Sequence, residues 1–145
     1  SKRLIKSPKL YFTDTGLVCR LLGIENPTQL ITHPLYGSIF ETHIVIEYIK
    51  YYLNRGESPN IYFWRDKKGL EADLFKNISG SISEIYEIKS SQTIPEDAFS
   101  KLKQIQSITD NNSRLNIIYG GSENQSRTNG EIISWSSLHK FLAKI

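Results

Sequence analysis

Two segments of alternating apolar and charged residues constrain the fold of this chain more than any other feature. They are 64–75 (WRDKKGLEADLF) and 85–91 (IYEIKSS), and the segment 76–82 between them is rich in Asn, Ser and Gly. A period of two is typical of β-strands, and Asn, Ser and Gly are typical of turns. The pattern therefore predicts a β-hairpin, which we centre on Gly80.

The predicted hairpin places charged residues together on one face of a sheet. Because side chains alternate along a strand, Glu71 and Asp73 share a face of the first strand, as Glu87 and Lys89 do on the second. A hairpin symmetric about Gly80 pairs Asp73 with Glu87 and Glu71 with Lys89, with opposed Cβ atoms about 4.5–5.5 Å apart. A divalent cation between the facing carboxylates would offset their repulsion.

The opposite face of the same two strands is apolar. It carries Ala72, Leu74, Tyr86 and Ile88, which predicts that this side packs on the core. Charges on a partly covered sheet face are costly unless they are paired or bound to metal. The pattern therefore favours a metal site over a solvated charged surface.

Composition predicts a single soluble domain. The chain has 145 residues, of which 39% are hydrophobic and 23% charged. No apolar run approaches the roughly 18 residues of a membrane helix, and no signal peptide opens the chain. One cysteine, Cys19, excludes an internal disulfide, has no zinc-ligand spacing with any histidine, and is typical of the cytoplasm. The net charge of +3 permits a nucleic-acid partner without requiring one.

The start of the sequence predicts a longer protein. The chain contains no methionine and begins at Ser1 in a basic segment, so we expect the cut or processed end of a larger polypeptide. We predict that 1–36 form a linker and short helix leading in from an upstream module, and that 37–145 form the α/β domain. The oligomeric state is left open.

The remaining pattern predicts an αβββαβ order, with a central mixed sheet and helices on both faces. The predicted elements are a short strand at 9–12, a helix capped by Asp14 and ended by Gly23, a loop at 25–36, a helix at 39–53, strands at 60–65, 71–76 and 83–89, a helix from Pro95 with a buried stripe to Ile108, a buried strand at 115–119, a mobile stretch at 120–130, an edge strand at 131–135 and a final helix capped by Ser136.

Two further sets of residues have alternative interpretations. Glu41, on the long helix, is either a third acid of the metal site or the partner of Ser38 in a capping box. Four lysines, Lys67, Lys68, Lys101 and Lys103, could contact phosphates of a nucleic acid or form a solvated surface. Asp66 is expected to shape a turn.

Five motifs in this order carry a family resemblance: KLYFTDTGL at 9–17, GSIFE at 37–41, YFWR at 62–65, EAD at 71–73 and EIK at 87–89. Together they resemble the C-terminal domain of unknown function that follows an AAA+-type ATPase module in many bacterial and archaeal proteins. That family looks like a member of the PD-(D/E)xK nuclease-like superfamily. The resemblance implies a restriction-endonuclease-like αβββαβ core.

The resemblance also implies residue roles. Glu41 becomes the acid of the first helix, Asp73 the central metal ligand, and Glu87 and Lys89 the signature pair; the Ile88 carbonyl is a further candidate ligand. The implied activity is phosphodiester hydrolysis with Mg²⁺ or Mn²⁺, in which Lys89 orients the nucleophile or stabilises developing charge.

This sequence departs from the motif because Ala72 stands where the superfamily has proline. It also contains no Gly-x4-Gly-Lys-Ser/Thr loop, so ATP is expected only in a separate N-terminal module. The alternatives are a non-catalytic module that binds nucleic acid or protein for that ATPase, and a purely structural network of ion pairs.

Overall fold

The computed structural model describes residues 9–77 and 83–144, so the predicted turn around Gly80 lies outside the described residues. The helices are α1 (Thr15–Leu21), α2 (Pro27–Thr32), α3 (Tyr36–Leu53), α4 (Ser100–Thr109) and α5 (Leu138–Leu142). The strands are β1 (Ile61–Arg65), β2 (Glu71–Asn77), β3 (Ser83–Lys89), β4 (Arg114–Tyr119), β5 (Gln125–Arg127) and β6 (Gly130–Ser134), and a 3₁₀ turn spans Trp135–Ser137.

The strands form one mixed sheet in the order β1-β2-β3-β4-β6-β5. The first three strands form an antiparallel meander, and α4 is the crossover that makes β4 parallel to β3. β6 is parallel to β4, and β5 pairs with it antiparallel at the edge. The predicted order of helix, three strands, helix and strand is confirmed for α3, β1, β2, β3, α4 and β4, and so is the mixed sheet flanked by helices.

Helices cover both faces of the sheet. On one face, α3 and α5 pack on Leu74, Tyr86 and Ile88. On the other face, α4 contributes Leu102 and Ile105 to a second core. Both faces of β3 and β4 are therefore buried, which explains why the 115–119 segment is apolar except for the buried Asn116. No helix within 9–77 and 83–144 combines the length and apolarity needed to cross a bilayer.

The N-terminal region differs from the sequence prediction in three places. Residues 9–12 are not a strand, and the predicted loop contains α2, which Asn26 caps by accepting from the Gln29 amide at 3.0 Å. α3 begins at Tyr36, one turn early, with Ile39 N donating to Leu35 O at 2.9 Å. Ser38 therefore lies inside the helix and cannot cap it, so the capping-box interpretation is wrong. The Asp14 cap of α1 is confirmed.

The C-terminal half differs in the boundaries of its elements. Residues 96–99 form turns with Ser100 N donating to Asp97 O, so α4 starts at Ser100 rather than at Pro95, and Ile108 is exposed. The stretch predicted as mobile contains β5, which makes β6 an interior strand rather than an edge. Ser136 does not cap α5, because the 3₁₀ turn intervenes and its hydroxyl contacts Ser134 Oγ at 2.8 Å.

Gly130 allows the backbones of β4 and β6 to approach closely at the start of their pairing. A Cβ at this position would overlap the Leu115 carbonyl oxygen and approach the Phe99 ring. We predict that Gly130→Ala lowers the free energy of unfolding by about 2–4 kcal/mol because the backbone of β4 must shift. Urea denaturation measures this change.

Gly37→Ala is the matched control. Its Cβ would meet only Ser90 Oγ at 3.8 Å, an ordinary contact, and the position is helical. This variant should be neutral or more stable by at most about 1 kcal/mol. Equal losses in both variants would contradict the steric explanation.

Candidate active site

A β-bulge in β2 sets the geometry of the site. The flanking pairs with β1 are Tyr62–Phe75 and Trp64–Ala72. Between them, the single residue Phe63 of β1 faces two residues of β2, Asp73 and Leu74. An extra residue of this kind kinks the strand and changes the direction of its side chains.

The bulge overturns the predicted alternation on β2. Ala72 packs in the core on the α4 side, whereas Leu74 packs in the core on the α3 side. Strict alternation would have placed both on one face. On β3 the alternation holds, since Tyr86 and Ile88 share the α3 side and Ile85 lies on the α4 side.

The predicted hairpin register is confirmed where β2 and β3 pair. The pairs run from Leu74–Tyr86 to Asn77–Ser83, which is the register symmetric about Gly80. One further step would bring Asp73 opposite Glu87. At that step the Asp73 side chain takes part in the pairing, because its Oδ2 accepts a hydrogen bond from Ile88 N at 2.7 Å.

Asp73 is a buried carboxylic acid with altered acidity. Burial raises the pKa of Asp73 to about 6, and the negative charges of Glu87 and Glu41 act in the same direction. The Ile88 amide and the Lys9 ammonium oppose this rise. Because the chain holds three acids within electrostatic reach, a cation beside Asp73 is favoured.

Lys9 supplies such a cation. Its Nζ lies 2.9 Å from Glu41 Oε1, 3.7 Å from Asp73 Oδ1 and 4.0 Å from Glu71 Oε1. Partial burial alone would lower the pKa of Lys9, but the hydrogen bond to Glu41 and the three carboxylates raise it. Tyr11 also donates to Glu41 Oε1, at 2.8 Å. Glu41 therefore binds an N-terminal segment rather than a capping serine.

Glu87 lies between two lysines and is almost fully buried. Lys89 Nζ is 2.6 Å from Oε1, and Lys101 Nζ, from α4, is 2.6 Å from Oε2. The pKa of Lys89 is raised: partial burial lowers it, and the contacts with Glu87 more than compensate. Lys101 was predicted as a phosphate contact and here is a partner of Glu87.

The predicted pairing of Glu71 with Lys89 is wrong. Glu71 lies before the bulge, so the register of β2 with β3 does not extend to it. Its partners are Arg65, with Nε 3.6 Å from Oε2, and Lys9.

The other predicted basic residues lie apart from this cluster. Lys67 and Lys68 are exposed in the turn that joins β1 to β2, and Lys103 is exposed on α4. Asp66 shapes that turn as predicted, because its Oδ1 accepts from the amides of Lys68 and Leu70 at 2.8 Å.

Sequence reasoning missed Lys9 and Tyr11. A signal was present: both alternate with Leu10 and Phe12, which are exposed, so segment 9–12 has a polar inner edge and an apolar outer edge. Alternation of this kind is typical of a strand, which explains why the sequence predicts a strand at 9–12.

Residues 36–138 match the family described as a domain of unknown function (DUF4143). The chain belongs to this family. It is also 37% identical over 123 residues to uncharacterized proteins of Mycobacterium bovis and Mycobacterium tuberculosis, a match that covers 83% of this chain and 25% of each relative. The chain thus spans about a quarter of the length of these relatives. No solved structure matches it significantly.

The DUF4143 domain contains donor atoms suitable for a divalent cation, but they are not arranged as a complete coordination site. Among residues 9–77 and 83–144, no three His, Cys, Asp or Glu side chains are grouped closely enough to hold a metal. The donors themselves are carboxylate oxygens, which suit Mg²⁺ and Mn²⁺. The Lys9 ammonium also shows that a cation fits between Glu41 and Asp73. The donor chemistry therefore fits, whereas the arrangement needs the lysines to move.

Burial of Asp73 predicts a pH-dependent stability. Between pH 3.8, the ordinary pKa of an aspartate, and about pH 6, the Asp73 carboxyl is protonated in the folded chain but ionised in the unfolded chain. The contribution of this proton to the free energy of unfolding is therefore complete below pH 3.8 and is lost as the pH rises through 6. At about 1.4 kcal/mol per pKa unit, the loss is roughly 3 kcal/mol. Because asparagine does not titrate, the free energy of unfolding of Asp73→Asn, relative to that of the wild type, should rise by this amount between about pH 4 and about pH 8.

Urea denaturation in EDTA at several pH values measures this difference. Asp97→Asn, an exposed acid in the turn before α4, is the control and should stay within about 0.5 kcal/mol of the wild type. A constant difference between Asp73→Asn and the wild type across this pH range would contradict the assigned pKa.

Lys101 and Lys103 form a matched pair on α4. Lys101→Ala removes one of the two partners of the buried Glu87, so we predict a loss of about 1–2 kcal/mol in unfolding free energy. Lys103→Ala removes an exposed lysine and should cost less than about 0.5 kcal/mol. Thermal or urea denaturation separates the two, and equal effects would contradict the role given to Lys101.

Proposed function

We propose that this DUF4143 domain is a metal-dependent, nuclease-like phosphodiester hydrolase, as expected for a PD-(D/E)xK site. The observation that carries the proposal is the convergence of Asp73 and Glu87 at the bulged end of the β2–β3 pairing, with Glu41 reaching toward Asp73 from α3. Acids and lysines from separate elements meet there, as a phosphodiester site requires.

Asp73, Glu87 and Glu41 are the proposed ligands, with the Ile88 carbonyl as a further candidate. Asp73 Oδ2 is engaged by the Ile88 amide, which leaves Oδ1 facing Lys9 and available to a cation. Bound Mg²⁺ or Mn²⁺ would supply the Lewis acid that activates water and offsets charge on the phosphorus.

The lysines of the site bind and orient the phosphodiester. Lys89 and Lys101 are partly exposed although the carboxylate between them is buried, so their ammonium groups can turn toward a phosphate oxygen. When the two ammonium groups turn from Glu87 to the phosphate, Glu87 becomes available to a cation. Positive charge then lies where the transition state becomes more negative. Lys67, Lys68 and Lys103, which are exposed outside the cluster, would contact the phosphates of a longer nucleic acid.

A second candidate is a non-catalytic module that binds nucleic acid or protein. A specific observation favours it: Glu41, Glu71, Asp73 and Glu87 each have a lysine or arginine within 4.0 Å. Four carboxylates with four basic partners (Lys9, Arg65, Lys89 and Lys101) form a balanced network that needs no metal. In this case the acids hold the sheet edge together and take no part in chemistry.

In either case we propose that the domain acts within a longer ATPase. Domains of this family are commonly the C-terminal region of AAA-ATPase-like proteins. The sequence contains no phosphate-binding loop, so ATP would bind in a separate module. That module is the proposed partner in the same polypeptide.

Calorimetric titration with Mn²⁺ tests the hydrolase. We predict micromolar-to-millimolar binding by the wild type that Asp73→Ala and Glu87→Ala abolish, because each removes a carboxylate ligand. Asp97→Ala, which removes an exposed acid outside the cluster, should bind as the wild type does. Retained affinity in Asp73→Ala would contradict the ligand assignment.

Cleavage of labelled DNA and RNA in Mn²⁺ distinguishes the two candidates. Cleavage that is lost in Asp73→Ala and Lys89→Ala supports the hydrolase. Salt-dependent nucleic-acid binding without cleavage, in a chain that binds no Mn²⁺, supports the binding module. Failure to bind any nucleic acid favours a protein partner.

A further inference from the structure

Segment 9–13 closes the acidic cluster from one side. Lys9 and Tyr11 point inward and both donate to the same oxygen of Glu41, at 2.9 and 2.8 Å. The Lys9 ammonium also lies 4.4 Å from the centre of the Phe63 ring, the residue opposite the bulge. The ammonium is therefore surrounded by an aromatic ring and three carboxylates.

We propose that the Lys9 ammonium and a divalent cation are alternative occupants of the Glu41–Asp73 acid pair, so that segment 9–13 must leave before metal binds. This inference rests on the proposed function and adds regulation of the same site. In the present arrangement the chain supplies its own cation and the site is closed.

Charge and distance make the two occupants exclusive. The Lys9 Nζ atom is within 4.0 Å of Glu41, Asp73 and Glu71. A divalent ion bound to oxygens of Glu41 and Asp73 would lie within a few ångströms of that ammonium, where two positive charges repel strongly in a partly buried setting. Space is also limiting, because metal–oxygen bonds of roughly 2.0–2.6 Å require the ion to sit between the same oxygens.

Segment 9–13 is held mainly through these inward side chains. It belongs to no strand of the sheet, and the outward Leu10 and Phe12 are 86% and 58% exposed. Loss of the Lys9 and Tyr11 contacts therefore frees the segment without opening a strand pair. Glu41 and Asp73 stay in place, because α3 and the Ile88 amide hold them independently.

Calorimetric Mn²⁺ titration of Lys9→Met tests the competition. Methionine is one atom shorter than lysine, is likewise unbranched, and carries no charge. We expect Lys9→Met to bind Mn²⁺ about tenfold more tightly than the wild type, since a charge-assisted contact no longer has to be broken. Lys140→Met, which removes an exposed lysine of α5, should not change the affinity.

The double variant Lys9→Met/Asp73→Asn shows where the gain arises. We expect it to lose the tighter binding, because Asp73 is one of the shared acids. A gain that persists in the double variant would overturn the inference by showing a general charge effect.

Limited digestion of the wild type with trypsin tests the inference without any substitution. Trypsin must bind the Lys9 side chain to cleave after it, and this side chain is held by Glu41. Saturating Mn²⁺ should therefore speed cleavage between Lys9 and Leu10, followed by mass spectrometry, if the segment leaves the site. An unchanged cleavage rate in a protein that demonstrably binds Mn²⁺ would overturn the inference.

The outcomes separate the two proposals. Equal Mn²⁺ affinity of wild type and Lys9→Met overturns the competition and leaves the metal site standing. Absence of Mn²⁺ binding in both overturns the metal site of the proposed function, and the competition with it.

Discussion

The hydrogen bond from the Ile88 amide to the Asp73 carboxylate is the interaction on which this site depends. It lies where the regular pairing of β2 and β3 ends and the bulge begins. A buried carboxylate is costly, and a backbone amide offsets part of that cost without adding charge. The acid thus stays fixed at the sheet while its second oxygen faces the Lys9 ammonium. The other groups of the site are arranged around this fixed point.

Electrostatic balance governs what the cluster can do. Lysines from segment 9–13, β3 and α4 neutralise acids from α3, β2 and β3, and each of these lysines is more exposed than the buried acids Asp73 and Glu87. Because these lysines are partly exposed, the proposed function requires that an incoming phosphate attract them and release the carboxylates. The same arrangement satisfies a purely structural network equally well. The choice between enzyme and binding module therefore depends on whether a cation can replace the ammonium groups.

The sequence predicted β1, β2, β3, β4 and β6 and the register of the hairpin, because hydrophobic period and turn chemistry are local signals, but it did not predict β5 and it predicted a strand at 9–12 that is absent. It predicted Asp73 and Glu87 as neighbours for the same reason. The bulge could not be predicted, because one extra residue in a strand does not produce a recognisable pattern of apolar and charged residues. For this reason the predicted pairing of Glu71 with Lys89 was wrong. Sequence reasoning also missed Lys9, whose contacts with Glu41 span 32 residues, and it misplaced the start of α3 because Ser38 resembles a cap. Local sequence patterns do not predict contacts between distant residues or the number of residues in a bulged strand.

The bulge is defined by the number of residues between two pairs of β1 and β2, not by their identity. Replacing Leu74 by another apolar residue keeps that number, whereas deleting one residue would restore regular alternation and turn everything before it to the opposite face. The bulge therefore tolerates apolar substitutions in β2 but does not tolerate an insertion or a deletion there. Across related chains, a gap within β2 would mark loss of the site more directly than any single exchange beside Asp73.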